Sequence, residues 1–466
     1  MALGEIAERL GSAGWLDDPE RMRPYLEEER GRYHGQAHGV ASPATVEQLS
    51  WVVGHCAAAG IAIVPQGGHT GLCGGAVPLA GERPVIVLSL RRLDRIRALD
   101  PVNGTITVEA GCILARIQEA AAEAGRLFPL SLAAEGSCQI GGNLATNAGG
   151  TNALRYGVAR DLVLGLEVVL ADGRIWSGLR TLKKDNTGYD LKNLFIGSEG
   201  TLGIITAAVL RLFPAPEETR TALLAVDSPA AALSLLTRLQ QATDGRLQAC
   251  ELMSARSVRF STRHIPGCRD PFDEAPPWYL LVEAGGRHLG ESVLAALEQA
   301  LEAGQLLDAA IAESGAQADS FWRLRESIPE AQKAEGGSIK HDVSVPVASV
   351  PAFLDQATAA VEAAYPGARV CAFGHLGDGN IHFNVSQPPA ADRAEFLAQW
   401  ETCNRLVHDI VHAMEGSISA EHGIGLLKRD ELPRYQSPVA LDLMRRIKRA
   451  LDPDNLLNPG KVIALD

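Results

Sequence analysis

Five glycines fall within the eleven residues Pro65-Gln66-Gly67-Gly68-His69-Thr70-Gly71-Leu72-Cys73-Gly74-Gly75, directly after the apolar run Ile61-Ala62-Ile63-Val64. The run reads as a buried strand, so the chain leaves it through a loop with few side chains. Glycine reaches backbone angles closed to other residues and lets a ligand approach the main chain. Successive exposed N–H groups in such a loop can form a nest for an anion such as a pyrophosphate. The spacing is neither G-x-G-x-x-G nor G-x-x-x-x-G-K-[ST]. The loop therefore suits a phosphate-bearing cofactor held by neither of the two commonest motifs. A plain surface turn is the alternative it leaves open by itself.

Two more clusters narrow the choice. Gly136-Ser137-Cys138-Gln139-Ile140-Gly141-Gly142-Asn143-Leu144-Ala145-Thr146-Asn147-Ala148-Gly149-Gly150 sets Ser137, Asn143, Thr146 and Asn147 between glycines. Such a segment can wrap a polar ligand with backbone and side-chain hydrogen bonds. The third is Gly197-Ser198-Glu199-Gly200-Thr201-Leu202-Gly203-Ile204-Ile205. Three clusters in one region point to a single large cofactor touched at several places.

The rest of the chain bounds the class. With 43 basic and 56 acidic residues the net charge is -13, which argues against nucleic acid or an anionic membrane surface as the main partner. No stretch approaches the length of a spanning helix. The first ten residues read as a charged helix rather than a signal segment. Eight cysteines without a C-x-x-C pair fit a reduced, cytoplasmic chain and no thiolate metal cluster. A helix is expected over 46–59, with Thr45 as N-cap, Gln48 completing a capping box and Gly60 ending it. Residues 112–126 read as an alanine-rich helix. Strands are expected at 85–90, 105–108 and 166–170, the last turning through Ala171-Asp172-Gly173-Arg174. Pro214-Ala215-Pro216 marks a boundary. Beyond it, strands 221–226 and 278–284 alternate with helices 230–242 and 291–303, an independent α+β unit. Residues 401–415 and 438–451 read as helices.

The second chemical signal is Gly374-His375-Leu376-Gly377-Asp378-Gly379-Asn380-Ile381-His382-Phe383-Asn384. Read as a hairpin looping through 377–380, it pairs His375 with His382. Opposed residues on one face stand about 4.5–5.5 Å apart at Cβ, so the two imidazoles could share a metal. Asn384 projects from the same face. A third ligand is needed, and Glu421, in Ser419-Ala420-Glu421-His422-Gly423, is the best candidate, although such a pair is also an ordinary polar loop.

These segments together resemble the flavin-linked oxidoreductases of the vanillyl-alcohol oxidase superfamily. Within it they are most similar to the D-2-hydroxy-acid dehydrogenases of the D-2-hydroxyglutarate type, over nearly the whole chain. The resemblance implies an α+β fold in four parts: an N-terminal helical segment (1–40), a two-part FAD-binding domain (41–215), a substrate or cap domain with an antiparallel sheet (216–400), and a mainly helical C-terminal segment closing on the flavin (401–466). It places the FAD pyrophosphate on the loop of Pro65, Gly67, Gly68, His69, Thr70, Gly71, Gly74 and Gly75. The adenosine and isoalloxazine then lie along Gly136, Ser137, Gly141, Gly142, Asn143, Thr146, Asn147, Gly149, Gly150, Glu199, Gly200, Gly203, Ile204 and Ile205, with Asn458 returning to the flavin. In some relatives a histidine of this loop is bonded covalently to the flavin; hydrogen bonding is the other reading of His69.

For the second unit the resemblance implies a divalent metal, Zn²⁺ or Mn²⁺, on His375, His382 and Glu421. His422 becomes the catalytic base, Asn384 orients the substrate, and Arg325 and Lys340 grip its carboxylates. Pro329 stands where hydroxyglutarate enzymes carry a threonine that meets the distal carboxylate. The implied reaction is oxidation of a D-2-hydroxy acid, D-2-hydroxyglutarate or D-malate, to the 2-oxo acid. An FAD-linked D-lactate dehydrogenase and an O₂-using oxidase share the motifs. An electron-transfer flavoprotein or quinone is the implied acceptor, and a homodimer the expected assembly.

Overall fold

The computed structural model describes residues 2–28 and 30–465. Residues 1–150, 157–215 and 421–466 form one compact unit, and residues 151–156 and 216–420 a second. Residues 1–40 thus belong to the first unit and 401–420 to the second.

Two larger sheets build the first unit, beside the short pair Arg126–Leu127 and Phe213–Pro214. In one, Val85–Ser89 pairs in parallel with Ala62–Gln66 and with Val40–Ala41. The other is antiparallel, in the order Ile96–Asp100, Thr105–Glu109, Ile204–Arg211, Val163–Val169, Ile175–Gly178. One apolar core joins them: Leu49, Val52 and Val53 of the helix Val46–Ala59 pack with Ile63, Ile86, Ala110, Val169, Ile204 and Leu457. That helix starts and stops as expected, with Thr45 Oγ1 accepting from Gln48 N–H and Gly60 left-handed at φ 67°. The expected capping box is incomplete. Gln48 Oε1 reaches past Thr45 to accept from Ala44 N–H. The alanine-rich helix is shorter than expected, Leu114–Glu123.

The C-terminal segment is tied into this unit by buried polar contacts. Helix Pro438–Leu451, capped by Ser437, buries Lys448. The Lys448 ammonium donates to Thr201 O and Leu457 O, each at 2.8 Å, and to the Asp452 carboxylate. Asp452 also accepts from Leu456 and Leu457 N–H at 2.9 and 2.8 Å. Leu457 then joins Ile63 in a parallel bridge. A stretch too rich in Pro, Asn and Gly for regular structure is thereby fixed by one buried ion pair.

The second unit is an eight-stranded antiparallel sheet. Its order is Asp308–Ile311, Glu218–Val226, Trp278–Gly286, Leu247–Ser254, Arg369–His375, Asn380–Ser386, Ser338–Ile339, with Asp342–Ser344 also pairing Asn380–Ser386. Helices Pro229–Ala242, Gly290–Glu302, Val350–Ala364 and Trp400–Ala413 bury one face. Ala255–His264, Gly315–Glu326 and Ile328–Lys333 cover the other, around Met253, Tyr279, Cys371 and Phe373. None of the eight cysteines is joined in a disulfide, and all are buried. Among the described residues no helix is long and apolar enough to cross a membrane.

Replacing Lys448 with Met leaves Asp452 buried without its cation, a change that costs about 3–5 kcal/mol for a buried pair. The thermal midpoint should drop clearly and the chain after Leu451 should become open to proteolysis. An unaltered melting curve and digestion pattern would show that the pair does not hold the C-terminal segment.

Candidate functional site

In the first unit the glycine clusters line one cavity, with about 910 Å³ of empty space including its open mouth. From the first loop come Pro65, Gly67, Gly68, His69, Thr70, Gly71 and Gly75. The second cluster contributes Gly141, Gly142, Asn143 and Thr146, and the third Glu199, Gly200, Gly203, Ile204 and Ile205. His422 lies on the same wall. Gln66, Cys73, Ala76, Leu90, Gln139 and Ala145, which sequence reasoning passed over, complete it. Most are flanked by recognised residues, but nothing in their types marks them out.

Seven expected cofactor residues are not on this wall. Gly136 and Ser137 are exposed, and Ser137 contributes its carbonyl, which faces Gly68. Gly74 packs against Tyr33 and Leu426, Gly149 against Glu421, and Gly150, at φ 106°, against Ser131 O. Asn147 accepts from Arg160 N–H at 3.0 Å. Asn458 acts as a clasp: its Nδ2 donates to Gly75 O at 2.9 Å and Glu199 O at 2.7 Å, joining the first and third clusters.

Glu199 is the second tie. Its carboxylate accepts from Ile424 N–H at 2.7 Å and Gly425 N–H at 2.9 Å. Burial pushes its pKa up, against the pull of those two amides. His69 is left-handed at φ 59°, and its Nε2 meets Glu27 O at 2.7 Å. Burial lowers its pKa. The buried oxygens Gln139 Oε1, Asn143 Oδ1 and Asn458 Oδ1 have no hydrogen-bond partner among the described residues. Buried polar atoms are rarely left so. Two belong to residues of the cavity wall, and they fit a polar ligand lying along the glycine-lined floor.

The second unit gathers the other chemistry on the sheet face under helix Gly315–Glu326. The hairpin register differs from the expected one. His375 pairs with Asn380 and His382 with Phe373, because the chain turns through Leu376–Gly379. The histidines are diagonal, not opposed, yet residues two apart on a strand share a face, and the rings lie 5.6 Å apart at a 75° angle. Glu251, on the neighbouring strand, pairs with His375 in register. Its Oε1 is 2.7 Å from His375 Nδ1. Its Oε2 accepts from Arg325 Nε at 2.9 Å and faces Nη2 at 2.8 Å. Burial alone would raise the Glu251 pKa, but His375 and Arg325 outweigh it and hold it down to about 2. The Arg325 guanidinium lies over Phe373, 4.8 Å from the ring centre.

Asp342 Oδ1 lies 3.8 Å from His382 Nδ1 and accepts from Asn380 Nδ2 at 3.0 Å. Asn384 is buried and donates to Gln332 Oε1 at 2.9 Å, while Gln332 donates to Ser386 Oγ at 2.9 Å. Lys340 is half-buried between Ser338–Ile339 and Asp342–Ser344. Pro329 occupies the first turn of helix Ile328–Lys333. Ala420, the last residue of this unit, donates its N–H to Asp342 O at 3.3 Å. Glu421 and His422 follow it as the first residues of the other unit, with Glu421 Oε1 3.5 Å from His422 Nε2. Glu251, Asp342 and Gln332 escaped the sequence reading. Glu251 left a signal: it is the one charged residue in the strand Leu247–Ser254.

Comparison with known proteins adds to this geometry. Residues 37–178 match the family described as FAD binding domain, and residues 215–462 the family described as FAD linked oxidases, C-terminal domain. D-2-hydroxyglutarate dehydrogenase of Xanthomonas citri pv. viticola is 41% identical over 447 residues, 96% of this chain and 93% of that one. The mitochondrial D-2-hydroxyglutarate dehydrogenase of Bos taurus is 37% identical, over 98% of this chain and 82% of its own length. A D-2-hydroxyglutarate–pyruvate transhydrogenase of Saccharomyces cerevisiae is 34% identical, over 96% and 90%. Among solved structures, p-cresol methylhydroxylase superposes with a TM-score of 0.79 at 19% identity, over 100% of this chain and 96% of that one. Alkyldihydroxyacetonephosphate synthase gives 0.77 at 18%, over 98% and 84%. At such low identity these two share the fold alone.

A Cβ placed on Gly68 would stand 2.4 Å from Ser137 O, inside any permitted contact. Gly68→Ala should force the first two clusters apart, cost about 1–3 kcal/mol, and reduce the FAD retained by the purified protein at least tenfold. A variant that kept a full complement of FAD would refute the assignment of this floor.

Proposed function

The chain belongs to the FAD-linked D-2-hydroxyglutarate dehydrogenase family, and we propose that it oxidises D-2-hydroxyglutarate to 2-oxoglutarate with FAD on the glycine-lined floor and a divalent metal beside the histidine pair. It is an FAD-dependent oxidoreductase acting on a CH–OH donor. The observation that carries the reading is His422 on the wall of the glycine-lined cavity, two residues beyond a backbone anchored to Asp342. His382 pairs in register with Asp342. One residue of chain spans about 3.8 Å. Chain continuity therefore supports Glu421 as the third metal ligand and His422 as the base between cofactor and substrate.

Bound FAD supplies the two-electron acceptor. The residues fit it: open glycines where a flat group must approach, and acceptor oxygens of Gln139 and Asn143 left for its polar edges. Two imidazoles and a carboxylate are a donor set for Zn²⁺ or Mn²⁺, and such an ion supplies the Lewis acidity that makes a bound hydroxyl easier to deprotonate. His375 would hold such an ion through Nε2, since Nδ1 faces Glu251. The protein performs the remaining work. His422 accepts the proton of the substrate 2-hydroxyl, the role for which imidazole is suited near neutral pH. Asn384, held by Gln332, orients the substrate. Arg325 meets a carboxylate with the edge of its guanidinium that Glu251 does not use, and Lys340 meets the other. An electron-transfer flavoprotein or quinone would then reoxidise the enzyme, as the resemblance implies; a cytoplasmic site rests on the cysteine pattern, and a homodimer is the expected assembly.

Pro329 offers no hydroxyl to a distal carboxylate, so the substrate panel is the decisive experiment. With a dye acceptor, D-2-hydroxyglutarate should exceed D-malate, and both should exceed D-lactate at least tenfold in kcat/KM. Preference for D-lactate would overturn the dicarboxylate assignment. His422→Ala should keep its FAD and lose about 10²–10⁴-fold in the rate of flavin reduction; fast reduction would remove His422 from the role of base. Stripping the metal with a chelator should abolish reduction until Zn²⁺ or Mn²⁺ is returned. Full turnover by verified metal-free enzyme would exclude the ion from catalysis.

A further inference from the structure

Resting on that metal reading, the geometry points to Glu251 as the positioning residue of the active centre, one carboxylate that aims His375 at the metal with one oxygen and holds the substrate-binding Arg325 with the other. Glu251 is fully buried, and so is nearly all of Arg325. A charge in such a place without a task is expensive to keep, and a hydrophobic replacement of similar volume is often neutral or better for stability. Glu251 also sits in an otherwise uncharged strand whose neighbouring side chains on both faces are core. Its two oxygens are divided between two partners. Oε1 takes the Nδ1 side of His375 at 2.7 Å, which fixes the imidazole with Nε2 outward; Oε2 takes the guanidinium at 2.8–2.9 Å.

Carboxylate partners of ligating histidines set ring orientation and raise ligand basicity, and their loss lowers metal affinity by about 10–100-fold. The guanidinium lies over Phe373, and among the described residues Glu251 is its ion-pair partner. One side chain thereby couples two events that are separate in chemistry: capture of the ion and capture of the carboxylate.

Glutamine at 251 keeps the shape but has one acceptor and one donor, so it can serve His375 or Arg325 but not both. In the FAD-loaded enzyme, Glu251→Gln should lower Zn²⁺ affinity about 10–100-fold in competition with a chromophoric chelator. With saturating Zn²⁺ restored, KM for D-2-hydroxyglutarate should remain raised at least tenfold, while FAD content is unchanged. A folded, FAD-loaded variant whose Zn²⁺ affinity and KM both lie within threefold of the parent overturns the proposal and reduces Glu251 to a structural ion pair. If the glutamine variant does not fold, the uncharged pair Glu251→Leu with Arg325→Met removes both charges together; it should fold and still bind Zn²⁺ at least tenfold more weakly. Parent-like affinity there also overturns the proposal. The underlying metal reading fails separately, if His375→Ala binds Zn²⁺ as tightly as the parent.

Discussion

Buried carboxylates facing fixed donors organise both halves of this molecule. In the first unit the carboxylate is Glu199. It receives Ile424 and Gly425 N–H, its own N–H donates to Ala145 O at 2.8 Å, and its carbonyl accepts from Asn458. Those contacts draw the second and third glycine clusters and the C-terminal segment onto one residue. Glu199 accepts a left-handed backbone, φ 51°, to do so, a conformation that side-chain-bearing residues avoid unless their surroundings enforce it. A cavity floored by glycine cannot hold its own shape by side-chain packing. It needs such polar ties, and Lys448 with Asp452 supplies another.

In the second unit the corresponding residue is Glu251. The sheet there is an ordinary antiparallel one, with apolar side chains on both faces and helices over each. The chemistry occupies a corner where His375, Glu251, His382 and Asn384 take positions among apolar neighbours. Each has a polar partner, as burial requires: Glu251 for His375 and Arg325, Asp342 beside His382, Gln332 for Asn384. The site is the exception that the surrounding core is stable enough to carry.

Much of this was legible in residue order. The glycine clusters, the capped helix Val46–Ala59, the helix Pro438–Leu451 and the histidine hairpin are local patterns with local causes, and they appear where the patterns place them. The hairpin register was missed by a short step, since four-residue loops can be counted from either of two starting residues. The face survived the slip because the histidines kept an even spacing relative to each other across the turn. Glu251 and Gln332 stayed hidden for a different reason: their partners lie 124 and 52 residues away in sequence.

What the sequence determined alone is the inventory: a strand running into glycines, donors and acceptors set between them, two histidines on one face of a hairpin, and a Glu–His pair between short flexible residues. Each follows from steric freedom or strand alternation within a dozen residues. Tertiary structure decided which of these groups work together. It set Asn458 against Gly75 and Glu199, put His422 on the cavity wall, and gave His375 and Arg325 a common carboxylate. Those pairings arise because a polar atom sealed from water must find a partner wherever the fold brings one, and distance along the chain places no limit on that.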